Sequence, residues 1–281
     1  MEYKKMFFPI GGGDELEERL YGACLVAKYF HAHIEFLKSG YCSNIELYNS
    51  LDLPKQMTYE IDNLFDAKYK DENIKYKTLL QKVAQKVGIK FEDVPSDRQG
   101  VSLKIRKGYR SILVEEESKF CDLVIAAAPP SGNATSTFET AVMKSGKPVI
   151  MIPRIMKNFS AKSVIIGWNN SIEAARTLTA SMEILKDAER VHVISSKEYM
   201  KDEGTMENLM SYLALHKIDA TFEVVEITQI PGEALLNNAL DGNFDLIVAG
   251  AYSYKGLKEL MFGGTTKHLL KYSTIPVFMS Y

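Results

Sequence analysis

Short apolar runs alternate along this chain with longer stretches in which apolar residues recur every three or four positions. The runs read as strands buried on both faces, and the longer stretches as helices laid over them. Lys5 to Ile10 is the first strand. Glycines follow, and Asp14 reads as the N-cap of an amphipathic helix from Glu15 to Phe30. His31 to Leu37 reads as the second strand, with His31 and His33 on one face by period two. That pair is either a strand-edge pair or half of a metal site, with no third ligand nearby. From Pro54 to Val87 there is neither Gly nor Pro after the first residue, and Met57, Ile61, Leu64 and Phe65 keep helical spacing. One long or broken helix is expected, whose aromatics (Tyr59, Phe65, Tyr69, Tyr76) suit packing or a dimer surface rather than a cofactor box. Ile89 to Val94 is a short strand candidate, Pro95-Ser96-Asp97 a turn, and Tyr109 to Phe120 a helix. Asp122 to Ala128 is a buried strand, Thr137 to Ser145 a helix, and Val149 to Pro153 a closing strand.

Arg154 to Ala161 carries no strong pattern and reads as a linker. The alternation then restarts: a strand from Ser163 to Trp168, Asn169-Asn170-Ser171 capping a helix to about Leu185, and a strand at Val191 to Ser195. A helix from Thr205 to His216, a strand from Ala220 to Glu226 and a helix from Pro231 to Leu240 follow. Phe244 to Gly250, a helix opening near Gly263, and Thr274 to Met279 end the chain.

The two halves repeat. Asp122-Leu123-Val124-Ile125 answers Asp245-Leu246-Ile247-Val248, and Lys147-Pro148-Val149-Ile150 answers Ile275-Pro276-Val277-Phe278. Strand–helix alternation argues for parallel sheets covered on both faces. A duplication is expected, with units at 1–154 and 160–281.

Composition adds exclusions. The 281 residues carry 34 basic and 36 acidic side chains, so no basic stripe invites nucleic acid. No apolar run approaches a membrane span, and the N-terminal run is too short for a signal peptide. Cys24, Cys42 and Cys121 make neither a disulfide framework nor a zinc pattern, which suits a reducing cytoplasm.

The candidate chemistry lies after the Asp245 strand. Gly250 ends the strand, and Gly263-Gly264-Thr265-Thr266 opens a helix. Glycine permits close backbone approach, Thr hydroxyls donate, and a helix start presents free N–H groups, which together make an anion cradle. Ordinary capping explains the same residues. Lys258 or Lys267 adds a charge there or faces solvent, and His268 lies one turn further on. No P-loop order and no carboxylate pair or Ser-His-Asp spacing is present, so an enzyme is not indicated beyond slow ATP hydrolysis.

These residues resemble the universal stress proteins (UspA-like) in their tandem two-domain form, over essentially the full length. The likeness is strongest at Trp168 to Arg176 and from Gly232 onward. It implies an α/β fold: two tandem doubly wound, Rossmann-like parallel sheets forming a pseudo-dimer. The family's nucleotide signature is Gly, two residues, Gly, nine residues, Gly, then Ser or Thr. Here Gly250 and Gly263 take the first and third glycine places, Ser253 replaces the second, and Gly264 stands before Thr265 and Thr266. Ser253 brings a side chain toward the phosphates. The family's Asp after its first strand is Asn169 here, behind Trp168, and Val193 would meet adenine through its backbone. The resemblance therefore implies ATP or AMP in the second half, with Mg2+ only alongside bound nucleotide, and a cytoplasmic stress-response role. The first half, with Gly11, Gly12 and Asp14 at its opening turn, is expected to be a degenerate partner with room for at most a small ligand. The last strand, Pro276 to Met279, is the expected self-association edge, satisfied internally between the halves or in a homodimer. The alternative is a stress protein without nucleotide that acts through dimerisation or partners.

Overall fold

The computed structural model describes residues 3–40, 54–94, 99–200, 204–226, 231–251 and 264–281. The strands are β1 (Lys5–Pro9), β2 (His33–Gly40), β3 (Gly100–Lys107), β4 (Leu123–Ala127), β5 (Val149–Ile152), β6 (Ser163–Gly167), β7 (Arg190–Ser196), β8 (Ala220–Val225), β9 (Leu246–Ala249) and β10 (Val277–Met279). The helices are α1 (Leu16–Tyr29), α2 (Lys55–Val87), α3 (Arg110–Glu117), α4 (Ser136–Met143), α5 (Ile172–Ala180), α6 (Met182–Asp187), α7 (Gly204–Leu215), α8 (Pro231–Asp241) and α9 (Gly264–Tyr272).

All ten strands form one sheet in the order β3-β2-β1-β4-β5-β10-β9-β6-β7-β8. Each half has the same doubly wound order, with its reversal between the first and fourth strands, β1 against β4 and β6 against β9. Every pairing is parallel except β5 with β10, which is antiparallel with Phe278 opposite Ile150. The halves therefore point in opposite directions, and their carboxyl-end crevices open at opposite ends of the sheet. This is the expected pseudo-dimer: β5 and β10 hide each other's edge within one chain. Phe278 and Ile150 are fully buried at the join. Tyr3 reinforces it by donating its hydroxyl to the Ala180 carbonyl at 2.7 Å.

The sequence repeat has a physical basis at both ends of these strands. The Asp122 carboxylate accepts from the backbone N–H groups of Lys4 and Lys5, each at 2.9 Å. Asp245 accepts from the Ser163 N–H at 3.0 Å and from the Ser160 hydroxyl at 2.8 Å. Each Asp thus ties its fourth strand to the entry of its first strand. Pro148 and Pro276 stand just before β5 and β10, where a missing N–H costs nothing in the ladder. Their carbonyls accept from Val124 and Ile247, both at 3.0 Å. Helices α1, α2, α5, α6 and α7 bury apolar residues on one face of the sheet, and α3, α4, α8 and α9 on the other.

The structure corrects several expectations. Strand β3 was not anticipated; Ile89–Val94 supplies only an isolated bridge, Phe91 to Val101. The period-two signal of Val101, Leu103 and Ile105 was present, with Ser102, Lys104 and Arg106 at the alternate positions of this edge strand. Asp14 does not cap α1. Glu15 holds the N-cap position in a left-handed conformation (φ 59°) without a side-chain cap bond. His31 is not in β2; it sits in the preceding turn at φ 52°, so His31 and His33 do not share a strand face. His33 is buried with Nε2 2.8 Å from Ser102 Oγ. The helix expected over 172–185 breaks at Ser181, where Thr177, Thr179 and Ser181 hydroxyls all return to helix carbonyls. Such back-bonding competes with the helix ladder. The linker reading of 154–161 gives way to a packed segment: Met156 and Ala161 are buried and Phe159 meets Tyr29 edge-on. The long helix is confirmed as α2, although Tyr59 and Leu64 near its start are exposed. The Pro95–Asp97 turn and Cys42 lie outside the described residues.

Candidate functional site

At the strand reversal of the second half, β6 and β9 run side by side with Gly167 opposite Ala249. The chain leaves β6 through Trp168-Asn169-Asn170 and leaves β9 through Gly250, so these residues share one lip of the sheet. A doubly wound sheet opens its crevice here, because its crossover helices leave toward opposite faces.

The β6 turn is built from local hydrogen bonds. Trp168 N–H donates to the Ile194 carbonyl at 2.9 Å, and Ser195 Oγ donates to the Trp168 carbonyl at 2.8 Å. Asn169 Oδ1 accepts from Ser171 N–H at 3.2 Å, and Ser171 Oγ then caps α5 by accepting from Ala174 N–H at 3.1 Å. Asn170 between them adopts φ 57°, a conformation Asn tolerates better than most side chains. Asn is thus suited to this turn, and the Asn169 carbonyl oxygen helps to hold it.

Gly250 is required by close approach. A Cβ there would lie 2.7 Å from the Ala174 nitrogen and 2.9 Å from the Glu173 carbonyl carbon. The end of β9 therefore presses directly on the first turn of α5. Gly232 does the same for α9: a Cβ would lie 2.8 Å from both Cα and O of Thr265. The start of α8 thereby locks the first turn of α9. Gly264 is exposed, with nothing within 4 Å of a would-be Cβ among the described residues, Thr265 is half-buried and Thr266 is buried. The opening turn of α9 contains no acidic residue. Of the expected threonines, Thr265 is the one on the open side. Ser253, Gly263 and Lys258 lie outside the described residues, and Lys267 is exposed.

Val193 is fully buried in β7, paired with Ile166 on one side and Phe222 on the other. The Trp168 side chain instead borders a cavity of about 360 Å3 between α5 and α7, shared with Asn170, Ala175, Thr179, Asn208 and Tyr212. Its indole Nε1 is buried without a hydrogen-bond partner among the described residues. Spacing alone did not reveal this cavity, because it arises where two helices that are distant in sequence diverge.

Titratable chemistry is sparse here. His268 packs on Gly232 and Tyr272, and burial, with Lys271, holds its pKa below the ordinary value against the pull of Glu233. Cys24 and Cys121 are buried; burial pushes the Cys121 thiol up to about 12. Among the described residues no group of His, Cys, Asp or Glu could hold a metal ion, and no helix is long and apolar enough to cross a membrane.

Comparison with known proteins agrees with this architecture. Residues 174–280 match the universal stress protein family. Universal stress protein Slr1230 of Synechocystis is 23% identical over 149 residues, covering 52% of this chain and 51% of that one. The match thus spans about half the length of the curated relative. A universal stress protein structure from Archaeoglobus fulgidus superposes with a TM-score of 0.69, at 16% identity, over 99% of this chain and 98% of that one. A functionally unknown protein of Pseudomonas aeruginosa, PA1789, gives 0.57 at 14% identity, over 98% and 92%. The match to the universal stress protein family thus lies in the second half of the chain, over residues 174–280.

Proposed function

We propose that this protein is a universal stress protein, a cytoplasmic stress-response regulator that binds ATP or AMP in its second half, with Mg2+ entering only as the nucleotide's counter-ion. One observation carries the reading. Gly232 is held in contact with the Thr265 backbone at the acid-free start of α9, while Gly250, at the end of β9, is held against the first turn of α5. A helix start with uncommitted N–H groups and a neighbouring Thr hydroxyl favours a phosphate. Trp168, Asn169 and Val193 would meet the nucleoside, and Gly250, Ser253, Gly263, Gly264, Thr265 and Thr266 the phosphates. The residues suit binding rather than turnover.

The test is thermal unfolding with and without millimolar ATP, in the wild type and in Thr265→Ala. A ligand at one hundred times its Kd stabilises the native state by about 2.7 kcal/mol, which is readily seen as a raised Tm. The wild type is expected to gain this and Thr265→Ala to lose most of it while keeping its unliganded Tm. Equal ATP shifts in both proteins would overturn the site. No shift in the wild type would favour action through self-association or partners, for which the exposed Met57, Tyr59, Leu64 and Ile74 of α2 speak.

A further inference from the structure

The first half keeps a crevice at its own strand reversal, at the opposite end of the sheet, and arginines line it. Arg19, in the first turns of α1, is only 4% exposed. Its guanidinium donates to three backbone carbonyls: Glu15 at 3.2 Å, Gly11 at 3.4 Å and Gly13 at 3.2 Å. Among the described residues it has no carboxylate within ion-pair distance. Arg110 opens α3, a helix without a side-chain cap. It is half-buried, and its Nε donates to Ser39 Oγ at 3.2 Å, its sole hydrogen bond among the described residues. The Nη1 atoms of Arg19 and Arg110 lie 3.2 and 4.0 Å from where a Cβ of Gly11 would be, so the two forks converge on one turn. Arg154 completes the group, donating to the carbonyls of Asp14 and Ala128 and pairing with Glu15.

This arrangement is unfavourable as it stands. Among the described residues the one carboxylate ion-paired with any of these three guanidinium groups is Glu15, which Arg154 holds. Arg19 and Arg110 both sit near helix starts, where the macrodipole disfavours a cation. Of the other charges nearby, Glu17 pairs with Lys82 and Lys38 with Glu72, while Asp14 and Glu18 lie exposed. Burial, followed by Arg154, depresses the Arg19 pKa, which reflects the same uncompensated charge. Above the turn, Gly12 has nothing within 4 Å of a would-be Cβ among the described residues. A buried charge without a partner is costly, whereas an oxyanion would use the spare N–H donors of Arg110 in a bidentate contact.

We propose that the first half binds a small phosphate group, free or as a monoester, between Arg110, Arg19 and the Gly11–Gly13 turn. The site is independent of the nucleotide reading for the second half. In the position matching Arg19, four residues past the N-cap, the second half has Ala175, so its crevice differs in kind.

The experiment is calorimetric titration of the full chain with inorganic phosphate and, separately, with phenyl phosphate, which has no base or sugar. Saturable binding at one site is expected. Arg110→Gln should weaken it by about tenfold or more, and Gly12→Asp, which places a carboxylate in the open space, should abolish it. Thr265→Ala should leave it unchanged. Tighter binding of phenyl phosphate identifies a phosphomonoester site, and tighter binding of inorganic phosphate a site for the free ion. Absence of saturation by about 10 mM of either probe would overturn the proposal. So would binding indifferent to Arg110→Gln and Gly12→Asp, or binding lost in Thr265→Ala.

Discussion

Gly250→Ala tests how closely the end of β9 approaches α5. The added methyl would sit 2.7 Å from the Ala174 nitrogen and 2.9 Å from the Glu173 carbonyl carbon. Both are backbone atoms of a capped helix turn, so neither can rotate away as a side-chain tip would. Restoring ordinary contact near 3.4 Å requires the start of α5 to retreat by about 0.7 Å. That movement strains the Ser171 cap and opens the packing of α5 on the sheet. Gly250 does not have positive φ, so the penalty is steric rather than conformational. Overpacking of this kind costs about 1–3 kcal/mol. The chain's single tryptophan, Trp168, lies at the same lip, so its fluorescence reports this half in urea unfolding. Gly250→Ala should lower the urea midpoint accordingly with little change in slope. Gly12→Ala, with nothing within 4 Å among the described residues, is the control and should stay within about 0.5 kcal/mol of wild type. A Gly250→Ala transition that coincides with wild type would refute the close approach, and with it the geometry of the proposed phosphate cradle.

Two further outcomes follow from the contacts. Asp122→Ala removes the acceptor of two N–H groups at the start of β1, and hydrogen bonds to a charged group contribute about 1.5–3 kcal/mol each. Partial exposure to water reduces this, so chemical denaturation should show a loss of roughly 2 kcal/mol; a loss below about 0.5 kcal/mol would mean water replaces the carboxylate. His192, held 2.8 Å from Thr221 Oγ1 and stacked on Phe244, has its pKa lowered chiefly by burial and secondarily by Arg190, against Glu223. Its unfolded form binds protons first, so its contribution is complete above about pH 6.5 and is lost as pH falls through the lowered native value. His192→Gln should flatten the stability profile between pH 7 and about 5. An unchanged or steeper slope would show that His192 is not responsible.

Much of the architecture was legible in the sequence because it rests on local periodicity. Apolar runs too short for helices, each bounded by turns, marked nine of the ten strands. The paired Asp-Leu and Pro-apolar motifs marked a duplication, since each Asp ties a strand entry and each Pro begins an edge. Strand β3 escaped because, as an edge strand, it alternates apolar with polar or charged residues and lacks the continuous apolar run that marks the buried strands. The sequence suggests Asp14 as the α1 cap because it has the right side chain, yet Glu15 takes the cap position and Arg154, 140 residues away, donates to the Asp14 carbonyl.

The candidate cradle was partly visible, since glycine and threonine at a helix start have a local meaning. Which glycines are indispensable was not visible, because Gly250 and Gly232 are constrained by atoms of other elements. By itself the sequence determined the element types, the repeat and the Gly-Thr helix start, all governed by neighbours within a few positions. Only the tertiary structure decided that β5 pairs with β10, that Asn169 serves its own turn, and that residues 11, 19, 110 and 154 meet in one crevice. Those contacts depend on where long crossovers return the chain, and burial then sets the cost of each unpaired charge and each added methyl.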